Sequence, residues 1–428
     1  MEGIPNEINE ARKAGFARGY VRANSPLIWW AAFSLATLLG FARLSYGLLL
    51  PALRGDFQGS YSIFGLIGTA NFVGYLLGTL LLPLLLTRIQ KRLLLHALSL
   101  LAVGITMALA ALSFNLWVLS IWRLLAGLFA GFVTILTMDL TLECVRPEER
   151  GQASGLIWMG GAVGILLTGL IAPLVTSVGA SLGWRLTWTM MGIASGIAAI
   201  GFYRIRRNKA LPDTKQMQGQ LPASTPSPNQ YWARLRLVFQ ARRLLFLALA
   251  FCGFGCGYII YFTFFITLVV QQGVPALDTG FIWAAIGVFG TFSGWLWGRL
   301  IDRWPTGFTL ALTLALGTCG SLTVLSGSLV LEFVGAALIG LSCLIGPPII
   351  VAALVKRAVP DEQYAVVYSV VLSIFGAGQI VGPVIAGSVI DHVGPVVGVA
   401  TTAVALGAGA LCACGYGVAQ RKMHVRRI

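Results

Sequence analysis

With 428 residues, 57% of them hydrophobic and only 11% charged, and a mean hydropathy of +0.83, the chain is neither an ordinary soluble domain nor a disordered one. Its net charge of +15 raises the question of nucleic-acid binding. The placement of the charges argues against that.

Segment 1–26 is mixed and charged, and the apolar run after it is too long for a cleavable signal peptide. That run, Leu27–Leu50, is the first predicted span: 24 residues with a single ionisable group, Arg43. A helix of this length, at ~1.5 Å per residue, covers the ~30 Å core of a bilayer. An arginine inside such a span costs roughly 2.5 kcal/mol or more and normally faces protein or a water-filled cavity. Hydropathy predicts further spans at Ile63–Leu86, Leu93–Leu112, Trp117–Leu140, Ser154–Val175 and Leu186–Tyr203. A polar, Pro- and Ser-containing linker, 204–243, follows; its end, around Trp232, Leu235 and Phe239, could form a basic amphipathic helix on the membrane surface. Six more spans are predicted at Leu244–Val270, Thr279–Ile301, Phe308–Leu325, Leu329–Val355, Ala365–Ile390 and Val396–Val418, before a tail, 419–428.

Of the 30 Lys and Arg residues, Arg43 and Arg123 lie within spans and Arg54 and Arg185 lie on one side of the membrane; all the others fall on the opposite side. This is the positive-inside pattern, and it places both termini in the cytoplasm. The expected location is the plasma membrane, or the inner membrane of a double-membraned bacterium. The basic charge is topological, so no nucleic-acid partner is expected.

Six spans on each side of a linker suggest an internal repeat. Pro147-Glu148-Glu149 is matched by Pro360-Asp361-Glu362, and Gly169 by Gly382, both 213 residues later. Arg88 and Arg303, Arg43 and Tyr258, and Tyr46 and Tyr261 are each 215 apart. The expected architecture is an all-α membrane protein of twelve helices in two pseudo-symmetric six-helix bundles, 27–203 and 244–418.

In this layout several motifs resemble the major facilitator superfamily. Gly298-Arg-Leu-Ile-Asp302-Arg303 is similar to its GxxxDR loop signature, and Arg123-Leu-Leu-Ala-Gly127 to its fourth-helix motif. Gly378-Gln-Ile-Val-Gly382-Pro383 and Gly160 to Pro173 resemble its Gly/Pro-rich helices, and Glu143 with Pro147 and Arg150 its inner-face charge cluster. Within the superfamily, GFARLSYGLLLP (Gly40–Pro51), ANFVGYLLG (Ala70–Gly78) and GYIIYFTFF (Gly257–Phe265) most resemble the YbfB/YjiJ-like branch. One departure concerns the first-half loop signature, where Pro83 and Thr87 replace glycine and aspartate and only Arg88 fits. The resemblance implies alternating access, with Arg88, Glu143, Arg150, Gly298, Asp302 and Arg303 as an inner-face gating network.

Arg43 and Arg123 both fall roughly 11 Å inside the outer boundary at helical rise. A guanidinium there either attracts an anionic substrate with its fork of donors or braces helices by bonding carbonyls. The anion reading is preferred for Arg43 and the bracing one for Arg123. Tyr46, Asn71, Tyr75, Tyr258, Tyr261 and Gln379 are candidates to orient a small molecule, or else to bond helices together. Gly160, Gly164, Thr168 and Ala172, echoed by Gly378, Gly382 and Ala386, form small-residue stripes suited to close helix packing. Titratable groups are scarce in the spans, and Asp139 is the proton-coupling candidate; facilitated transport and exchange for a counter-substrate stay open.

The seven cysteines lie in spans apart from Cys144, and Cys252 and Cys256 have no His or carboxylate beside them, so neither metal nor disulfide is expected. No phosphate loop, zinc spacing or catalytic triad is present; neither enzyme activity nor a cofactor is expected. The preferred reading is a monomeric transporter of a small organic anion. An exporter of apolar or cationic compounds, or a membrane scaffold or sensor on a transporter fold, are the alternatives.

Overall fold

A computed structural model describes residues 26–177, 179–208 and 242–425. Among these it is all-helical, with twelve helices long and apolar enough to cross a bilayer. In chain order they are α1 (Pro26–Phe57), α2 (Tyr61–Leu86), α3 (Arg92–Ala111), α4 (Leu116–Leu142), α5 (Arg150–Thr176) and α6 (Ala180–Arg207). The second six are α7 (Arg242–Gln271), α8 (Ala276–Arg303), α9 (Gly307–Ser326), α10 (Leu329–Ala358), α11 (Asp361–Val393) and α12 (Pro395–Val425). Segment 1–25, most of the linker with Trp232, Leu235 and Phe239, and the end of the tail lie outside the described residues.

Each predicted span corresponds to one helix, and the differences lie at the ends. α1 runs seven residues past Leu50, because Pro51 costs the helix only one donor and the turns beyond it hold; Arg54 thus sits in a last helical turn rather than in a loop. α6 continues to Arg207, so Arg204, Arg206 and Arg207 extend a helix instead of opening the linker. α10 breaks at Leu344–Ile345, just before Pro347 and Pro348, whose nitrogens cannot donate.

Packing repeats between the halves. α1 packs on α5, α2 on α4 and α3 on α6; α7 packs on α11, α8 on α10 and α9 on α12 in the same way. Between the halves α2 meets α11, α5 meets α8, and α1 meets α7. Exchanging the halves maps this set onto itself, as a pseudo-twofold axis requires. The glycine stripes are packing seams inside each half: a Cβ on Gly40 would lie 2.3 Å from the Gly164 backbone, and one on Gly378 2.4 Å from the Cys252 carbonyl. Only backbone-to-backbone approach fits there.

An even number of spans puts both ends of the described chain on one side, the side that bears the basic excess and is called here the basic face. The halves touch at mid-depth and toward the opposite face, and part toward the basic face. Hydrogen bonds between the halves join Arg43 to Gln379, Thr69 to the Ile380 carbonyl, Trp283 to Thr168, Gln271 to Tyr61, and Tyr61 and Ser62 to Asp391. Among the described residues none lies nearer the basic face. There Leu27, Ile28, Leu82, Leu140 and Phe202 belong to a hydrophobic cluster drawn from the first half alone, whereas the main core joins both halves.

At Gly47 the opposite-face closure has no room for a side chain, since a Cβ would fall 1.7 Å from the Phe262 carbonyl. Gly47→Val should therefore hold the halves apart on that side. Labelling of Thr263→Cys, now buried, by an impermeant maleimide added from the opposite face should rise severalfold; unchanged labelling would contradict this closure.

Candidate functional site

The site is built on an irregular stretch of α1. Over Ala36–Leu44 the helix widens to i→i+5 bonding, with the Ser45 N–H reaching the Gly40 carbonyl. Such wide turns are rare and concentrate at functional positions. Here the widening carries Arg43, whose residue is 9% exposed. Its guanidinium lies 4.5 Å from the Phe72 ring centroid and 4.4 Å from that of Tyr75, both on α2. One Nη donates to the Gln379 Oε1 of α11 at 3.2 Å. Gln379 in turn donates through Nε2 to the Tyr258 hydroxyl of α7. Arg43, Gln379 and Tyr258 thus form one polar chain across the contact between the halves. No carboxylate pairs with Arg43 among the described residues, and its buried Nε has no acceptor.

Arg123 makes different contacts. From α4 it donates to the carbonyls of Ala42 and Arg43, in the widened stretch of α1. Its guanidinium also lies 4.7 Å from the Tyr46 ring and 5.9 Å from that of Trp188. Asn71 donates to the Arg123 carbonyl at 3.0 Å, and the Tyr46 hydroxyl to that of Phe64 at 2.7 Å. These three side chains fasten helices of the first half to one another. Between the two arginines, Tyr46, Phe72, Phe262 and Thr263 help enclose a void of about 10 Å³, room for about one water.

Tyr75 is half-buried beside Arg43 on the side that opens toward the basic face. Tyr261 is not brought to this cluster: it is fully buried, stacked on Phe265 at 4.3 Å, with its hydroxyl unpartnered among the described residues.

Of the expected inner-face network, one group assembles. Arg92 pairs with Asp139 at 2.7 Å and Glu143 at 2.6 Å, and Arg206 with Glu143 at 3.2 Å. Asp139, the proton-coupling candidate, is thus one member of an ion-paired group. Arg150 bonds the Val145 carbonyl through Nε at 3.3 Å. Arg88, Asp302 and Arg303 are exposed, and a side chain at Gly298 would meet nothing within 4 Å. These four positions lie on the face where the halves are apart. Arg92 and Arg206 were missed because, in sequence, they read as loop and linker charges.

Asp391 fastens the opposite face. Its carboxylate accepts from the Tyr61 N–H at 2.7 Å, the Ser62 N–H at 2.9 Å and the Ser62 hydroxyl at 2.6 Å. A carboxylate of one half thus caps the N-terminus of α2 in the other, where backbone donors and the helix dipole favour negative charge. Asp391→Asn removes the charge at a cost of about 1 kcal/mol, and should shift the balance of opposite-face closure about fivefold. Maleimide labelling of Thr263→Cys reads this directly; no increase would show that the cap does not hold the closure.

Comparison with known proteins agrees with this fold. The chain is 33% identical over 172 residues to the "Uncharacterized transporter YgaY" of Escherichia coli, a stretch covering 40% of this chain and 42% of that protein; the chain thus spans about two fifths of that relative's length. It is 26% identical over 354 residues to a "Probable sugar efflux transporter" of Mannheimia succiniciproducens, covering 81% of this chain and 82% of that one. Among solved structures, the nucleoside transporter NupG superposes with a TM-score of 0.73 at 13% identity, over 92% of this chain and 98% of the other. The family model described as "Uncharacterised MFS-type transporter YbfB" matches residues 35–418, and the chain belongs to that family.

Proposed function

We propose that this protein moves a small organic anion across the plasma membrane by alternating access, with the basic face in the cytoplasm and Arg43 as the anchor for the anionic group. The observation that carries this reading is the buried guanidinium of Arg43 without a carboxylate. Burying an ion costs several kcal/mol even after relaxation. Against this, the two ring contacts contribute ~0.5–2 kcal/mol each and the bond to neutral Gln379 ~1.5–3 kcal/mol. These offset much of the cost yet leave Nε and most of the fork unused. A carboxylate entering from the basic face supplies the missing acceptors and the compensating charge.

Gln379 is the group such an anion displaces. Because Gln379 belongs to the second half, occupancy of Arg43 exchanges a contact between the halves for a contact with solute. A site that changes the bonding between two rigid bundles can bias their equilibrium. The two closely placed arginines also make the site a poor one for cations. Reconstituted in liposomes, the protein should show counterflow of at least one monocarboxylate from a panel of small acids, and none of their amides. Equal movement of acids and amides, or of neither, would refute the anion reading.

A further inference from the structure

The polar groups around Arg43 can be accounted for one by one. Tyr46 is committed to the Phe64 carbonyl, Asn71 to the Arg123 carbonyl, and Tyr258 to Gln379. Apart from Arg43 itself, the crevice therefore offers a solute little beyond three phenols: the hydroxyls of Tyr75 and Tyr368, and the O–H of Tyr258, whose oxygen accepts from Gln379. A polyhydroxylated ligand needs many such groups, because each desolvated hydroxyl without a partner is costly.

What remains available is aromatic surface. In the second half, the rings of Phe254, Tyr258 and Phe375 lie nearly parallel: Phe254 and Tyr258 at 4.8 Å and 16°, Phe254 and Phe375 at 5.6 Å and 13°, Tyr258 and Phe375 at 6.0 Å and 9°. Phe251 extends the stack on Phe375, at 4.4 Å and 14°. Nearer the basic face, Tyr368 is stacked with Tyr364 at 5.6 Å and 9°. Tyr75, from the first half, and Tyr258, from the second, meet at Arg43: the guanidinium lies 4.4 Å from the Tyr75 ring and reaches Tyr258 through Gln379. Tyr75, Phe375, Tyr368 and Tyr364 are all half-buried, as walls of an open crevice should be. Phe251, Phe254 and Tyr258 are buried against one another, so the half-buried Phe375 is where a flat guest can extend the stack, by offset stacking that adds to what the buried area alone provides.

We infer that the anion carries a planar aromatic body: its carboxylate meets Arg43 while its ring lies against the Tyr258–Phe375 wall, with Tyr75 on the other side. This rests on the anion reading above and goes beyond it, since Arg43 alone would accept any small carboxylate. The hydroxyls of Tyr75 and Tyr368, which have no hydrogen-bond partner among the described residues, suit a polar substituent on the ring edge.

The test is isothermal titration of the purified full-length protein with benzoate, cyclohexanecarboxylate and benzamide. Benzoate should bind at least tenfold more tightly than cyclohexanecarboxylate, and benzamide should show no binding. In Phe375→Leu that preference should shrink to about twofold while carboxylate binding persists. Equal affinity for the two acids would overturn the aromatic inference and leave the anion reading standing. Benzamide binding as well as benzoate, or neither acid binding, would overturn both. The comparison of ligands on the unaltered protein decides the matter even if Phe375→Leu folds poorly.

Discussion

Arg43→Gln should abolish measurable carboxylate counterflow and weaken carboxylate binding by about 30- to 4000-fold, while leaving the protein as stable as before or more so. The affinity loss follows from removing one partner of a buried charge pair, ~2–5 kcal/mol, at a factor of ten per ~1.4 kcal/mol. The stability side follows from the absence of a carboxylate partner: the substitution removes a buried, incompletely compensated cation, and so removes a desolvation cost from the empty protein. Arg43→Lys should fall between the two, since an ammonium keeps the charge but lacks the planar fork. Counterflow, calorimetric binding and a thermal melt together check the claim. A destabilised Arg43→Gln with unchanged affinity would make the residue a brace.

Arg123→Gln should behave in the opposite way. Its guanidinium donates to two carbonyls in the widened stretch of α1, and hydrogen bonds from a charged donor contribute ~1.5–3 kcal/mol each. Losing both should cost about 3 kcal/mol or more. The thermal midpoint should fall by several degrees, while the affinity of the protein that remains folded should fall much less than for Arg43→Gln. Should Arg123→Gln melt normally yet fail to bind carboxylates, Arg123 would be a ligand-binding residue and the division of labour proposed here would be wrong.

This pair of arginines shows how far the sequence can be read. Their depth followed from helical rise alone, and both do lie together at mid-membrane. Their duties depended on a feature that hydropathy does not register, the widened turn of α1 that presents its carbonyls to Arg123. The twelve spans and the repeat were legible because they rest on composition and spacing, which hold whatever the helices touch. Partners across the halves were not: nothing near Asp391 in sequence indicates that it caps α2, about 330 residues away. Tyr258 and Tyr261 looked equivalent in sequence, three residues apart. Packing separates them, sending Tyr258 to Gln379 and Tyr261 into the core. Likewise Asp302 and Arg303 carry the loop signature, yet both are exposed on the face where the halves are apart.

The most direct test is a crystal structure of the protein with 4-bromobenzoate, in which anomalous scattering locates the bromine. The expected result is a carboxylate within ~2.7–2.9 Å of the Arg43 nitrogens, Gln379 released from Arg43, and bromine beside Tyr258 and Phe375. Bromine elsewhere, with the Arg43–Gln379 bond intact, would contradict it.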